Sequence, residues 1–126
     1  MLIEGQSLTT CEIEPDGSAI MLGLIDDRGE ARKLRLPVEQ VGALAMTLPS
    51  LIERALKTRY RDASLRYAYE LGSWTLEQAS DPQTRMMTLR TTDGFSVCFS
   101  LPLAQGEALS EALARSHRRD EPLRAN

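Results

Sequence analysis

"LPVEQVGAL", residues 36–44, returns as "LPLAQGEAL" at 101–109. Placing 10–48 on 75–113 needs no gap. Twelve of the thirty-nine positions then match: Thr10/Thr75, Glu12/Glu77, Asp16/Asp81, Met21/Met86, Leu24/Leu89, Gly29/Gly94, Leu36/Leu101, Pro37/Pro102, Gln40/Gln105, Ala43/Ala108, Leu44/Leu109 and Leu48/Leu113. Chance would give roughly two or three, so the chain reads as an internal duplication. Two copies are too few for a solenoid. The expectation is one domain over 1–117, built from two repeats at about 1–60 and 61–117 and related by a pseudo-twofold axis. Residues 118–126 are expected to form a flexible polar tail.

Each copy reads as strands followed by a helix. In "FSVCFSL", Phe95, Val97, Phe99 and Leu101 alternate with Ser96, Cys98 and Ser100, the period of a half-buried strand. "TRMMTLRTT" precedes it with Met87 and Leu89 on the inner face, and Asp93-Gly94 joins the two as a hairpin. The first copy has "AIMLGLI", "DDRGE" and "ARKLRL" in the same order, with Gly29 at the turn. "TTCEIE" and "SWTLEQAS" supply earlier strands, turned by "PDG" at 15–17 and "DPQ" at 81–83. "MLIEG" and "SLRYAY" are assigned as one further strand per copy. The fold class is therefore α+β, an internally duplicated antiparallel β-meander plus helix (ββββα twice). Pro37 and Pro102 close the last strand and open the helix, where a missing N–H costs nothing. Val41, Leu44 and Leu48, and then Leu109 and Leu113, form apolar stripes. Pro49 kinks the first helix or restarts it. Phe99, Leu101, Leu89, Leu44 and Leu109 are the expected core.

Hydrophobic residues make up 42% of the chain and charged residues 26%, with a formal net charge of −3. That balance argues against a protein held to nucleic acid or anionic membrane by bulk charge. No apolar run is long enough to span a bilayer, and the first residues lack the pattern of a signal peptide. Cys11 and Cys98 fit neither a redox pair nor a metal half-site. A cytoplasmic chain with two reduced thiols is expected.

The sole histidine, His117, stands beside Arg118 and Arg119 at the end of the last helix, where a cation favours the helix dipole. Glu12/Glu77 and Asp16/Asp81 recur in both copies. Symmetry-related carboxylates could act as acid and base, or hold a cation. As strand-surface and turn residues they need no such role. No catalytic residue, metal ligand or cofactor is assigned. The segment 54–69, "RALKTRYRDASLRYAY", carries Arg54, Lys57, Arg59, Arg61 and Arg66 interleaved with Tyr60, Tyr67 and Tyr69. Cations for phosphates and rings for stacked bases are what a single-stranded nucleic acid requires. Arg54, Lys57, Arg59, Tyr60, Arg61 and Arg66 are the candidate nucleic-acid or anion-binding residues. The competing reading is a solvated helix end leading into a core strand.

The repeated strands-then-helix unit, and "RKLRLPVEQVGAL" in particular, resembles the Whirly and positive-cofactor-four type of fold. That resemblance implies sheets ending in a helix that pairs with its twin, and single-stranded DNA binding; it assigns no residue of this chain. The first functional reading is a non-catalytic binding or assembly module with a homo-oligomeric or protein partner and no membrane association. The second is a single-stranded nucleic-acid-binding regulator using 54–69.

Overall fold

A computed structural model describes residues 1–118, with side chains through Ser116. The expectations for the His117 side chain and for the tail beyond Arg118 lie outside the described residues. The chain is α+β and divides into two units, Met1–Tyr67 and Ala68–Asn126. Unit 1 contains β1 (Gly5–Ile13), β2 (Ala19–Asp26), β3 (Ala31–Pro37) and α1 (Val38–Tyr60); unit 2 contains β4 (Leu71–Gln78), β5 (Thr84–Thr91), β6 (Ser96–Pro102) and α2 (Leu103–Arg118). Each sheet is a three-stranded antiparallel meander, β1-β2-β3 and β4-β5-β6.

The two meanders share a register. Ala19 faces Pro37 and Thr84 faces Pro102; Ile13 faces Ile20 and Gln78 faces Arg85. The turn hydrogen bonds correspond as well. The Val38 N–H donates to the Ser18 carbonyl at 3.0 Å, and Leu103 to Gln83 at 2.9 Å. The Asp26 N–H donates to the Glu30 carbonyl at 2.9 Å, and Thr91 to Phe95 at 2.8 Å. Gly29 and Gly94 both stand at positive φ, 79° and 100°, in these hairpins. A side chain there meets the left-handed penalty, so Gly29→Ala is expected to cost about 1–2 kcal/mol in a urea titration. No loss would show that the turn relaxes to another type.

Upstream of Thr10 the spacing changes. β1 has register irregularities between Gly5 and Ser7 and between Leu8 and Thr10, whereas β4 has one, between Leu71 and Ser73. Thr9 is thus one extra residue, accommodated as a bulge. The shifted spacing brings the Glu4 carbonyl, which accepts from Asp27, into line with the Glu70 carbonyl, which accepts from Thr92.

The strand count corrects the sequence reading: each unit has three strands, not four. "MLIEG" contributes only Gly5, the first residue of β1, and "SLRYAY" forms no strand. The second segment spends its hydrogen-bonding groups locally. The Asp62 carboxylate accepts from the Ser64 N–H and hydroxyl, at 3.0 and 2.6 Å. The Arg66 guanidinium folds onto the Ser64 and Leu65 carbonyls. The Tyr67 N–H is held by the Glu53 carboxylate of α1 at 3.0 Å. Such side-chain bonds occupy backbone groups that a ladder would need.

α1 runs unbroken through Pro49. Pro49 has no N–H to offer the preceding turn, but the hydroxyls around it bond within the helix. Thr47 Oγ1 donates to the Ala43 carbonyl at 2.8 Å and Ser50 Oγ to the Thr47 carbonyl at 3.1 Å. The helix stops at Arg61, a non-glycine residue in the left-handed region at φ 52°. The Asp62 N–H returns to Lys57 and the Arg61 N–H to Thr58, a Schellman closure.

The expected core is the main departure. Phe99 is 48% exposed, Leu109 43% and Leu44 38%, while Leu89 and Leu101 are half-buried. Among the described residues the only buried side chains are Ala19, Asp26 and Thr88. Leu89, Phe99 and Leu101 do share one face of their sheet, as alternation requires, but sharing a face did not bury them. Within its own unit, each helix leaves its sheet's apolar face largely uncovered.

Candidate docking surface

In an antiparallel sheet, residues directly opposite one another share a face. In unit 1 this groups Ile13, Ile20 and Leu36, then Cys11, Leu22 and Leu34, then Leu8, Leu24 and Arg32. The other face carries Glu12, Met21 and Arg35, followed by Thr10, Gly23 and Lys33. One side is mainly aliphatic, interrupted by Cys11 and ended by Arg32; the other is mainly polar, with Arg35 Nε paired to Glu14 at 3.1 Å. On the apolar side Ile13 is 76% exposed and Leu8 64%. That burial pattern suits a sheet made for a cover that its own unit does not supply.

Unit 2 repeats the division with heavier side chains. Its apolar face holds Leu76, Met87 and Phe99, then Trp74, Leu89 and Val97. Beyond them the Tyr69 and Phe95 rings lie 5.7 Å apart. Its polar face holds Thr75, Thr88 and Cys98, with Ser73, Arg90 and Ser96. Between α2 and the β4–β6 sheet lies a groove of about 500 Å³. The sheet side of the groove presents Trp74, Leu76, Met87 and Leu101; the helix side presents Leu109 and Leu113. Among the described residues its charged lining is Arg85 and Glu107. Such a surface can exclude water from another apolar surface, an effect that is non-directional and scales with area.

The candidate nucleic-acid residues are placed differently from one another. Arg54, Lys57, Arg59 and Tyr60 occupy the last turns of α1. At about 100° per residue, Arg59 lies nearly opposite Lys57 around the helix, so the cations do not form one stripe. Lys57 Nζ is 3.7 Å from the Glu53 carboxylate. Glu53 itself is held below the usual carboxylate range, chiefly by the Tyr67 N–H. Arg61 forms the helix stop, and Arg66 is folded against neighbouring carbonyls. Tyr60 is exposed, at 62%. Because Arg61 sits in a conformation suited to glycine, Arg61→Gly is expected to raise stability by about 1 kcal/mol. A destabilised variant in the same denaturant titration would show that the side chain makes a contact the backbone strain conceals.

The recurring carboxylates have structural uses. Asp16 accepts from the Ser18 hydroxyl and N–H, which lowers its pKa, and Asp81 accepts from the Gln83 N–H. Glu12 and Glu77 lie on the polar faces of their sheets. Among the described residues no group of three or more His, Cys, Asp or Glu is placed to hold a metal ion.

Sequence reasoning missed Asp26. It is 6% exposed and takes the Arg28 and Glu30 N–H groups, each at 2.9 Å, together with Arg32 Nε at 3.0 Å. Its counterpart in unit 2 is Thr91, whose hydroxyl bonds Asp93 and accepts the Phe95 N–H. The signal lay in "DDRGE", an aspartate two and four residues before N–H groups that a tight turn leaves unpaired.

No protein-family model, curated protein or solved structure matches this chain. Among the described residues no helix is long and apolar enough to cross a membrane. What fold and site define is an α+β chain of two three-strand-plus-helix units, each with an open apolar sheet face.

Proposed function

We propose that this chain is a non-catalytic assembly module of the cytoplasm, and that its apolar sheet faces are the surfaces by which it binds protein. In this reading the two units descend from one duplicated element and retain the pseudo-twofold relation that the repeat implies. The observation that carries it is the exposure of a whole sheet face, Trp74 at 61% and Leu76 at 53% in unit 2. An isolated exposed leucine is ordinary; a contiguous face of large apolar residues with a polar reverse is a binding surface.

The test compares charges placed on the two sides of each sheet. Leu34→Glu and Leu76→Arg stand on apolar faces, Lys33→Glu and Ser96→Arg on polar ones. The apolar-face variants are expected to abolish association, measured by sedimentation, while keeping the far-ultraviolet spectrum of the folded chain. The polar-face variants should leave association intact. Loss of association from both sets alike would overturn the proposal.

One observation favours a second reading, single-stranded nucleic-acid binding: Tyr60 is exposed between Arg59 and Arg61. Anisotropy with a labelled oligonucleotide distinguishes it. Contact with phosphates would give an affinity falling with salt at a log–log slope of about −0.7 per phosphate. Arg59→Ala/Arg61→Ala would then weaken it. Binding that ignores both salt and the double substitution removes this reading.

A further inference from the structure

Resting on the docking function proposed above, we infer that the groove between α2 and the β4–β6 sheet is closed by a second copy of this chain. The first argument is the openness of this one face. Trp74 is 61% exposed, Leu76 53%, Phe99 48% and Leu113 58%. Large apolar side chains left open on one contiguous face mark a surface that a protein partner covers.

The second argument is the chemistry of the lining. Trp74, Phe99 and Met87 give this face the aromatic and thioether anchors enriched at interface centres. The aliphatic face of unit 1 lacks them. A twofold contact must also be self-complementary, because the same patch meets itself. The groove meets that condition: it carries Arg85 and Glu107, one charge of each sign, at an otherwise apolar wall. Each copy can therefore offer a cation where the other offers a carboxylate.

Trp74 is the chain's only tryptophan, so its fluorescence reports this face alone. The experiment measures the mass of the full chain by sedimentation, and acrylamide quenching of Trp74, over a dilution series. The same measurements are made on Leu76→Arg and on Ser96→Arg, which places the same charge on the reverse of the sheet. The expected result is a dimer whose tryptophan is several-fold less quenchable than in the diluted chain. Leu76→Arg is monomeric with Trp74 fully quenchable, and Ser96→Arg behaves as wild type. A dimer with a freely quenched Trp74 overturns the inference while leaving assembly in place. A monomer with a quenchable Trp74 overturns the second copy as the occupant, and the face remains a docking surface for another protein. A monomer whose Trp74 is protected at every dilution overturns both, since the chain then covers the face itself. Dilution of the wild type carries the test even if Leu76→Arg does not fold.

Discussion

Replacing Phe99 with alanine is expected to destabilise the assembled protein by about 3–5 kcal/mol, the cost of truncating a phenylalanine in a packed core. Phe99 stands in β6 opposite Met87, which in turn faces Leu76 on β4. Within the chain itself the residue is 48% exposed, so only part of its burial comes from its own sheet. The cost should therefore depend on association. Apolar burial is worth about 25 cal/mol per Å², so a ring left half in water loses about half of its transfer contribution. In the Leu76→Arg background, where assembly is expected to fail, Phe99→Ala should cost less than half as much. Urea titrations of both pairs, at a protein concentration above the association midpoint, measure the difference. A loss well under 1 kcal/mol in the assembled protein would show that this face is never covered. Equal losses in both backgrounds would show that the cover comes from the chain itself.

Asp26→Asn is expected to lower the thermal midpoint at neutral pH, and to do so in a way that disappears in acid. The carboxylate is held below its ordinary pKa, first by the Glu30 N–H and then by Arg32. Its charged form is thus favoured in the folded state over the unfolded one. Stability from this source is fully present above the unfolded carboxyl pKa and is lost as pH falls through the lower, folded value. Asparagine keeps Oδ1, which accepts both turn N–H groups, but sets an uncharged NH2 donor where Oδ2 accepts from Arg32 Nε. The gap between wild type and variant should be wide at pH 7, narrow below the ordinary aspartate range, and close once the wild-type carboxyl is protonated. A gap independent of pH would mean that shape, not charge, secures the turn. In the corresponding hairpin of unit 2 the Thr91 hydroxyl takes this place, donating to the Asp93 carboxylate and accepting the Phe95 N–H.

The two hairpins explain why some of this was legible in the sequence and some was not. Gly29 and Gly94 match as letters because the backbone at both places demands positive φ, a requirement that one residue type meets best. Asp26 and Thr91 do the same work without matching, since a carboxylate and a hydroxyl can each accept the N–H groups of a turn. Comparing letters finds the first pair and passes over the second. Thr9 carried no signal either. A bulge depends on how two strands settle into register, and the ungapped match simply begins at Thr10, the first residue beyond it.

The basic segment shows a similar division. Its composition was plain, but a list of cations does not say where they point. The 23-residue helix winds Arg54, Lys57 and Arg59 around its axis, and Glu53 draws Lys57 towards itself. The φ of Arg61 and the grip of Glu53 on the Tyr67 N–H turn the remainder of the segment into a helix stop and its anchor. The strand expected at "SLRYAY" disappears for the same reason.

Sequence alone determined the alternation that sorts Leu76, Met87 and Phe99 to one side of a sheet and Thr75, Thr88 and Cys98 to the other. It also determined the turns between the strands, and the proline that converts each last strand into a helix. These are local matters, settled by the two-residue period of a strand and the permitted dihedrals of glycine and proline. Only the tertiary structure decided that the apolar side stays open within each unit, because burial belongs to whatever packs against a face. A strand's pattern records that a cover is wanted; whether its own unit supplies one depends on what packs against that face in three dimensions.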